Sequence, residues 1–394
     1  MTFKDKQTLR TETPACKNLR YFDNAGSALT SSRVTGAIHE AIEQEQKLGP
    51  YFFEETVEAK IHELKLKLAK LIGATSASEI ALVDSASRAW SVLLNAIPFQ
   101  AGDRILTSCF EYGANWATFE ALRQRFGVKV EVLPLSLDGD YDLKEIEKAF
   151  SLKPRLLALT LCPSSNGIIV DVAPICQLAR QYGTLVLLDA CQAVGQVPVN
   201  VERLHCDFLT ATGRKFLRGP RGTGFLYART AAVSSLPPVI GDHCCWQWEN
   251  GRYRAIGGAA QFELWEKSVV NALGLLAAVD ELLALEVDQV AEEIQGLAQI
   301  LRTRLSELPS VKLTDRGKNL SGIVTIAARK RVDWQAIKQT LRRENFVIGV
   351  SNVHGAPLLM TSLEVDKVGR ISPHVYNTEQ EIDELVEILG KSLE

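Results

Sequence analysis

The sequence predicts an α/β protein: a largely parallel sheet with helices on both faces, followed by a smaller α+β unit. Two observations carry this. Up to about residue 230, short runs that are apolar throughout alternate with helical patterns, as strands buried on both faces do. Beyond about residue 260 the order changes to long helical runs and then shorter strands. A length of 394 residues leaves room for two domains with ample core.

In chain order, "EIALVD" (79–84) precedes the helical "SRAWSVLLNAI", and "DRILTSC" (103–109) precedes "NWATFEALRQRFG". "VKVEVLPL" precedes "DLKEIEKAF", and "RLLALTLC" (155–162) precedes "VAPICQLARQYG". "TLVLLDA" (184–190), "CDFLTATG" (206–213) and "GTGFLYA" (222–228) complete the strands. The stretch 268–308 then reads as one or two long amphipathic helices. "GIVTIAA" and "VGRISPHVY" are shorter strands, and "DWQAIKQTLRRE" and "TEQEIDELVEILGKSL" are helices. A domain boundary is expected near 265, without a flexible linker.

A formal net charge of -3 gives no basic excess for nucleic acid or an anionic membrane. No apolar run approaches the roughly 18 residues of a membrane span. The first eighteen residues are polar, so no secretory signal is expected. Eight scattered cysteines without a CxxC pair read as reduced thiols, and the expected location is cytoplasmic. "HCCW" (243–246) lacks a second ligand cluster, so no metal is expected. No GxGxxG follows the first strand, which argues against a dehydrogenase.

Ligands of such sheets bind at the carboxyl ends of the strands. The strand "LVLLDA" ends on Asp189, and Lys215 in "TATGRKFLRGP" (210–220) follows one strand later. Asp189 alone fits a turn or a helix cap. A lysine and a buried carboxylate in one crevice are what pyridoxal 5'-phosphate requires, for its Schiff base and its pyridine nitrogen respectively. The lysine must be partly neutral, which desolvation or a neighbouring cation achieves. Arg214 supplies that cation and can bind the phosphate. Ser85, Ala86 and Ser87, between a strand and a helix, fit an ordinary serine cap or a phosphate cup. Beside the lysine–aspartate pair the cup is favoured, with Thr212 as a further donor. Tyr112 in "CFEYGAN" is placed to stack on the ring, and "GPRGTG" (219–224) reads as a hairpin turn.

The stretch 185–229 resembles the aminotransferase class V group of fold-type I pyridoxal-phosphate enzymes, which includes cysteine desulfurases, cysteine C–S lyases, isopenicillin N epimerase-like proteins, kynureninase and the C–S lyase of ergothioneine synthesis. The resemblance runs from "YFDNAGSAL" (21–29) to "VGRISPHVYNTEQEIDELVEIL" (368–389). It implies a seven-stranded, mostly parallel sheet in a large domain (21–265), a small C-terminal domain (266–394) and an N-terminal arm (1–20) packing on the latter. It also implies a homodimer. By the same resemblance Lys215 carries the cofactor and moves protons at the substrate Cα. Asp189 pairs with the pyridine nitrogen, Gln192 donates to the ring 3'-oxygen and Tyr112 takes the stacking position. Ala86 (through its N–H), Ser87, Thr212 and Arg214 surround the phosphate. Arg370 holds the substrate carboxylate, Asn24, Ala25 and Gly26 line the substrate pocket, and Ser164 lies nearby.

Two departures from the desulfurase pattern are informative. Gly355 stands where desulfurases carry a persulfide-forming cysteine, and no cysteine follows Cys245. "QFELWEKS" (261–268) replaces "RFEAGTP" and is similar to the C–S lyase and epimerase-like branch. The expected activity is a C–S β-lyase acting on an S-substituted cysteine or its sulfoxide and yielding pyruvate and ammonia. An epimerase or racemase, an aminotransferase, and a non-catalytic binding module on the same fold are the alternatives. Trp246, Trp248, Tyr253 and Trp265 suggest an aromatic pocket rim, or equally a subdomain contact.

Overall fold

The structure, a computed structural model, describes residues 3–393. α1 (Phe3–Thr11) leads to β1 (Arg20–Phe22), then to α2 (Ser32–Leu48) and α3 (Pro50–Ile72). The large sheet is built from β2 (Ile80–Val83), β3 (Arg104–Thr107), β4 (Lys129–Val132), β5 (Leu156–Thr160), β6 (Leu185–Asp189), β7 (Phe208–Thr212) and β8 (Gly224–Ala228). Its crossovers carry α4 (Ala86–Ala96), α5 (Gly113–Phe126), α6 (Leu143–Phe150) and α7 (Ala173–Gln181). The spatial order is β2-β8-β7-β6-β5-β3-β4. Only β8 is antiparallel to its neighbours, β2 and β7. β5, β7 and β8 are buried at every position, because helices cover both faces.

After β8 come α8 (Thr230–Val233) and an exposed hairpin of β9 (Trp246–Glu249) and β10 (Arg252–Ala255). α9 (Val269–Ala284) and α10 (Val287–Ser306) follow, then β11 (Val311–Leu313), β12 (Val324–Ala328), α11 (Trp334–Arg343), β13 (Phe346–Asn352), α12 (Pro357–Leu363), β14 (Lys367–Ile371) and α13 (Glu379–Leu393). The second sheet has the order β1-β13-β14-β12-β11.

Two cores organise the packing of this region. Ten of the α9 residues are buried, and the helix packs against α2 and α3 of the large unit. α10 instead gives Leu297, Leu301 and Leu305 to the second core. The two cores divide within α10, since Val290 and Ile294 still join the large core while Leu297 onward joins the second. β1 pairs in parallel with β13, Arg20 opposite Phe346, so residues 20–22 belong to the small sheet although the expected large domain began at 21. The arm before them is tied to the C-terminal unit by Arg10, which bonds the Tyr376 carbonyl and pairs with Glu381 at 2.8 Å. Among the described residues no helix is long and apolar enough to cross a membrane.

Candidate active site

The carboxyl ends of β5, β6 and β7 open onto one cleft of about 390 Å³. The parallel register sets Thr160 beside Asp189 and Asp189 beside Thr210, so three strand ends deliver polar groups to one place. Its lining includes Ala25, Gly26, Ala86, Ser87, Tyr112, Ser164, Asp189, Gln192, Thr212, Arg214, Lys215 and Arg370, together with the thiols of Cys162 and Cys191; the first twelve were expected there.

Asn24 is the exception. Its amide is fully buried, donates to the Ser372 carbonyl at 2.7 Å and accepts from the Tyr376 hydroxyl. It fastens the 23–26 turn to the end of β14 and does not line the cleft. The four aromatic residues 246, 248, 253 and 265 do not line it either. Trp248 and Tyr253 pack edge to face on the exposed hairpin, with ring centroids 5.0 Å apart. In "QFELWEKS", Glu263 is buried, accepts from the Leu82 N–H at 2.8 Å and pairs with Lys65 at 2.6 Å. That segment thus anchors β2 to α3.

Asp189 is buried, and both its oxygens are held. Oδ1 accepts from the Cys191 N–H at 2.9 Å and Oδ2 from the Asn115 amide at 3.0 Å. Lys215 lies on the turn after β7. Burial is the main cause that lowers its pKa from the usual lysine range, with Arg214 and Arg370 acting in the same direction. Arg214 is therefore a lesser cause of the shift than the sequence suggested. Cys191 and Asp189 oppose it.

At the other wall, Ser85 caps α4, its hydroxyl accepting from Arg88 N–H at 3.2 Å and donating to Asp84 at 2.9 Å. The first-turn N–H groups of Ala86 and Ser87 have no carbonyl within the helix to bond, and they carry the positive end of the helix dipole. Thr212 lines the cleft, but its hydroxyl donates to the Thr223 carbonyl at 3.2 Å. Thr223 lies just before β8.

Arg370 on β14 bonds Asp23 at 2.9 Å and the Ser164 carbonyl at 3.2 Å, and its buried Nε has no partner. Asp23 was not picked out in the sequence; neither were Asn115 and Thr160, which also line the cleft. Gly349, opposite Arg370 across the β13–β14 ladder, leaves room for this pair. A Cβ there would lie 2.4 Å from Asp23 Oδ1 and 3.0 Å from Arg370 Nε. Tyr112 caps α5 at the mouth of the cleft, 42% exposed. The next residue is held by the loop after β13, Gly113 N–H donating to the Gly355 carbonyl at 2.9 Å. Backbone approach is so close that a Cβ on Gly113 would sit 1.9 Å from the His354 oxygen.

This donor set fits pyridoxal 5'-phosphate. Asp189 and Lys215 stand in one cleft with an open helix N-terminus and Arg214. Gln192 is buried and lines the cleft, and its amide nitrogen donates one hydrogen to the Ala25 carbonyl at 2.9 Å, so a second N–H is left for a ligand acceptor.

Comparison with known proteins agrees. The aminotransferase class V family model matches residues 20–385. A cysteine desulfurase of Escherichia coli O17:K52:H18 (strain UMN026 / ExPEC) is 30% identical over 386 residues, 93% of this chain and 92% of its own length. The fold is shared with the apo cysteine desulfurase of Thermococcus onnurineus NA1, at TM-score 0.90 and 23% identity over 98% of this chain and 97% of that one. It is also shared with the cystine C–S lyase C-DES in complex with its product cysteine persulfide, at TM-score 0.87 and 22% identity over 96% and 99%. With a lysine–aspartate cleft at the strand ends and a family match over most of its length, the chain belongs to the aminotransferase class V family of pyridoxal-phosphate-dependent enzymes.

Proposed function

We propose that this protein is a C–S β-lyase that converts an S-substituted cysteine, or its sulfoxide, and water into a sulfur product, pyruvate and ammonia. The observation that carries this reading is Gly355. The loop bearing it is seated against the Tyr112–Gly113 edge of the cleft, where a transferable sulfur would be taken up, yet it holds no thiol. Space is not the reason, since a Cβ on Gly355 would meet only the Asn352 carbonyl at 3.5 Å. Elimination needs no thiol there; sulfur leaves with its own substituent.

Pyridoxal phosphate, when bound, supplies an aldehyde for the substrate amine and a ring that takes up the electron pair released at Cα. The residues of the chain do the rest. Asp189 holds a proton on the ring nitrogen. The α4 N-terminus, Ser87 and Arg214 hold the phosphate. Arg370 binds the substrate carboxylate. Lys215, whose pKa burial lowers from the usual lysine range, removes the Cα proton. Tyr112, at the mouth, donates a proton to the departing sulfur, a general-acid role worth on the order of 10²–10⁴ in rate. Two copies pair as a homodimer. Tyr51 (68% exposed) and Phe52 (56%), next to Trp265, are apolar surface left for a partner, and gel filtration with light scattering should give twice 43.4 kDa.

The test is a ketoacid assay. Pyridoxal-phosphate-loaded protein is given cysteine, cystine, and S-alkyl, S-aryl and sulfoxide conjugates, and pyruvate is quantified against ammonia. Equal amounts of both from one class of conjugate are expected; no pyruvate from any of them refutes the lyase. A second expectation concerns the carboxylate site. Gly349→Ala should push Asp23 and Arg370 apart and raise KM about tenfold, the equivalent of one charge-assisted hydrogen bond, with kcat much less affected. An unchanged KM would remove Arg370 from substrate binding.

A further inference from the structure

Behind Asp189 lies a second carboxyl that the mechanism above does not use. Glu111 is fully buried. Its Oε2 accepts from the Asn115 amide at 2.9 Å and from the Thr160 hydroxyl at 2.9 Å, while its buried Oε1 has no partner. Asn115, one helical turn later, also donates to Asp189 at 3.0 Å. Both hydrogens of one amide are thus spent on two carboxylates. The arrangement is set by the fold: Thr160 and Asp189 are register partners on β5 and β6, and Glu111 and Asn115 straddle the start of α5.

Two negative charges bridged by one amide in a buried place repel strongly. An orphaned, buried carboxyl oxygen is far costlier as part of an anion than as a neutral hydroxyl. The titratable groups that face Glu111 are Asp189 from β6 and the Cys109 thiol, and burial pushes that thiol up to about 11. No cation faces it. Burial, followed by the Asp189 charge, pushes Glu111 up to about 8.

We propose that Glu111 is a positioning residue that holds Asp189, through Asn115, toward the ring nitrogen of the cofactor, and that Glu111 carries a proton so that Asp189 is the only anion of the pair. This rests on the pyridoxal-phosphate reading of the cleft. Gln has the shape of a protonated Glu, so Glu111→Gln should preserve the arrangement. Glu111→Leu strands the second Asn115 hydrogen and the Thr160 hydroxyl.

The test uses the loaded protein and two readouts. Cofactor affinity is read from the visible absorbance of bound pyridoxal phosphate at pH 7, and thermal unfolding is followed from pH 5 to 9. The Gln variant should hold the cofactor within about twofold of wild type, and the Leu variant about tenfold or more weaker. A carboxyl whose pKa is higher folded than unfolded favours the folded state at low pH. That advantage is lost as pH rises from about 4.5 through 8. The melting temperature of Glu111→Gln should therefore gain on wild type between pH 5 and 9. Cofactor loss in the Gln variant as severe as in the Leu variant, or a melting difference flat across pH, overturns the proposal. A wild type that binds no pyridoxal phosphate would instead sink the reading of the cleft, and the proposal with it, whatever the melting curves show.

Discussion

Lys215→Ala should abolish pyruvate production, lowering the rate by about 10⁴-fold or more, at or beyond the upper end of a general-base contribution. The same variant should release pyridoxal phosphate on gel filtration. Its fold should survive. The Lys215 ammonium makes no hydrogen bond or ion pair among the described residues, and a desolvated, unpaired cation destabilises the folded chain. Cofactor-free Lys215→Ala should therefore melt no lower than cofactor-free wild type. Loss of activity with a clear drop in melting temperature would mean that the lysine is structural. Retained activity would remove it from the chemistry altogether.

Asp189→Asn is expected to have the second largest effect. The charge that keeps the ring nitrogen protonated is lost, an electrostatic role whose removal costs roughly 10²–10³ in kcat. A second penalty follows from the donors. Cys191 N–H and the Asn115 amide hold the two oxygens separately. Whichever way an asparagine amide is turned, one donor meets another N–H. The variant should thus bind pyridoxal phosphate more weakly as well as react more slowly, read as a lower visible absorbance at fixed cofactor concentration. A slow enzyme with full cofactor affinity would assign Asp189 an electronic role only, and no change in either would contradict the account of the site.

The chemistry was legible where strands end. Apolar runs such as Leu185–Leu188 make the first polar residue after them conspicuous, and Asp189 and Lys215 stood out for that reason. Arg370 and Gly355 could be read only through resemblance, since nothing local marks an arginine in "VGRIS" or a glycine in a loop. The Glu111–Asn115 pair was not legible. Its spacing looks like any helix start, and its partners Thr160 and Asp189 come from two other strands joined by register. Asn24 was placed in the pocket by resemblance alone, whereas the bond to Ser372 turns its side chain inward. Where the two cores divide was not legible, because α9 and α10 form one helical stretch in sequence. Only packing shows that α9 buries its sides against α2 and α3, and only β13 shows where residues 20–22 belong.

The cleft is proposed to eliminate sulfur, and the loop after β13 carries no thiol to take it over. One experiment addresses this directly: proton NMR of the loaded enzyme with its best cysteine conjugate in deuterated water. The account predicts pyruvate as the carbon product, lost in Lys215→Ala. Alanine in place of pyruvate would mean sulfur transfer to an acceptor, and unbroken substrate deuterated at Cα would mean epimerisation. Either would contradict it.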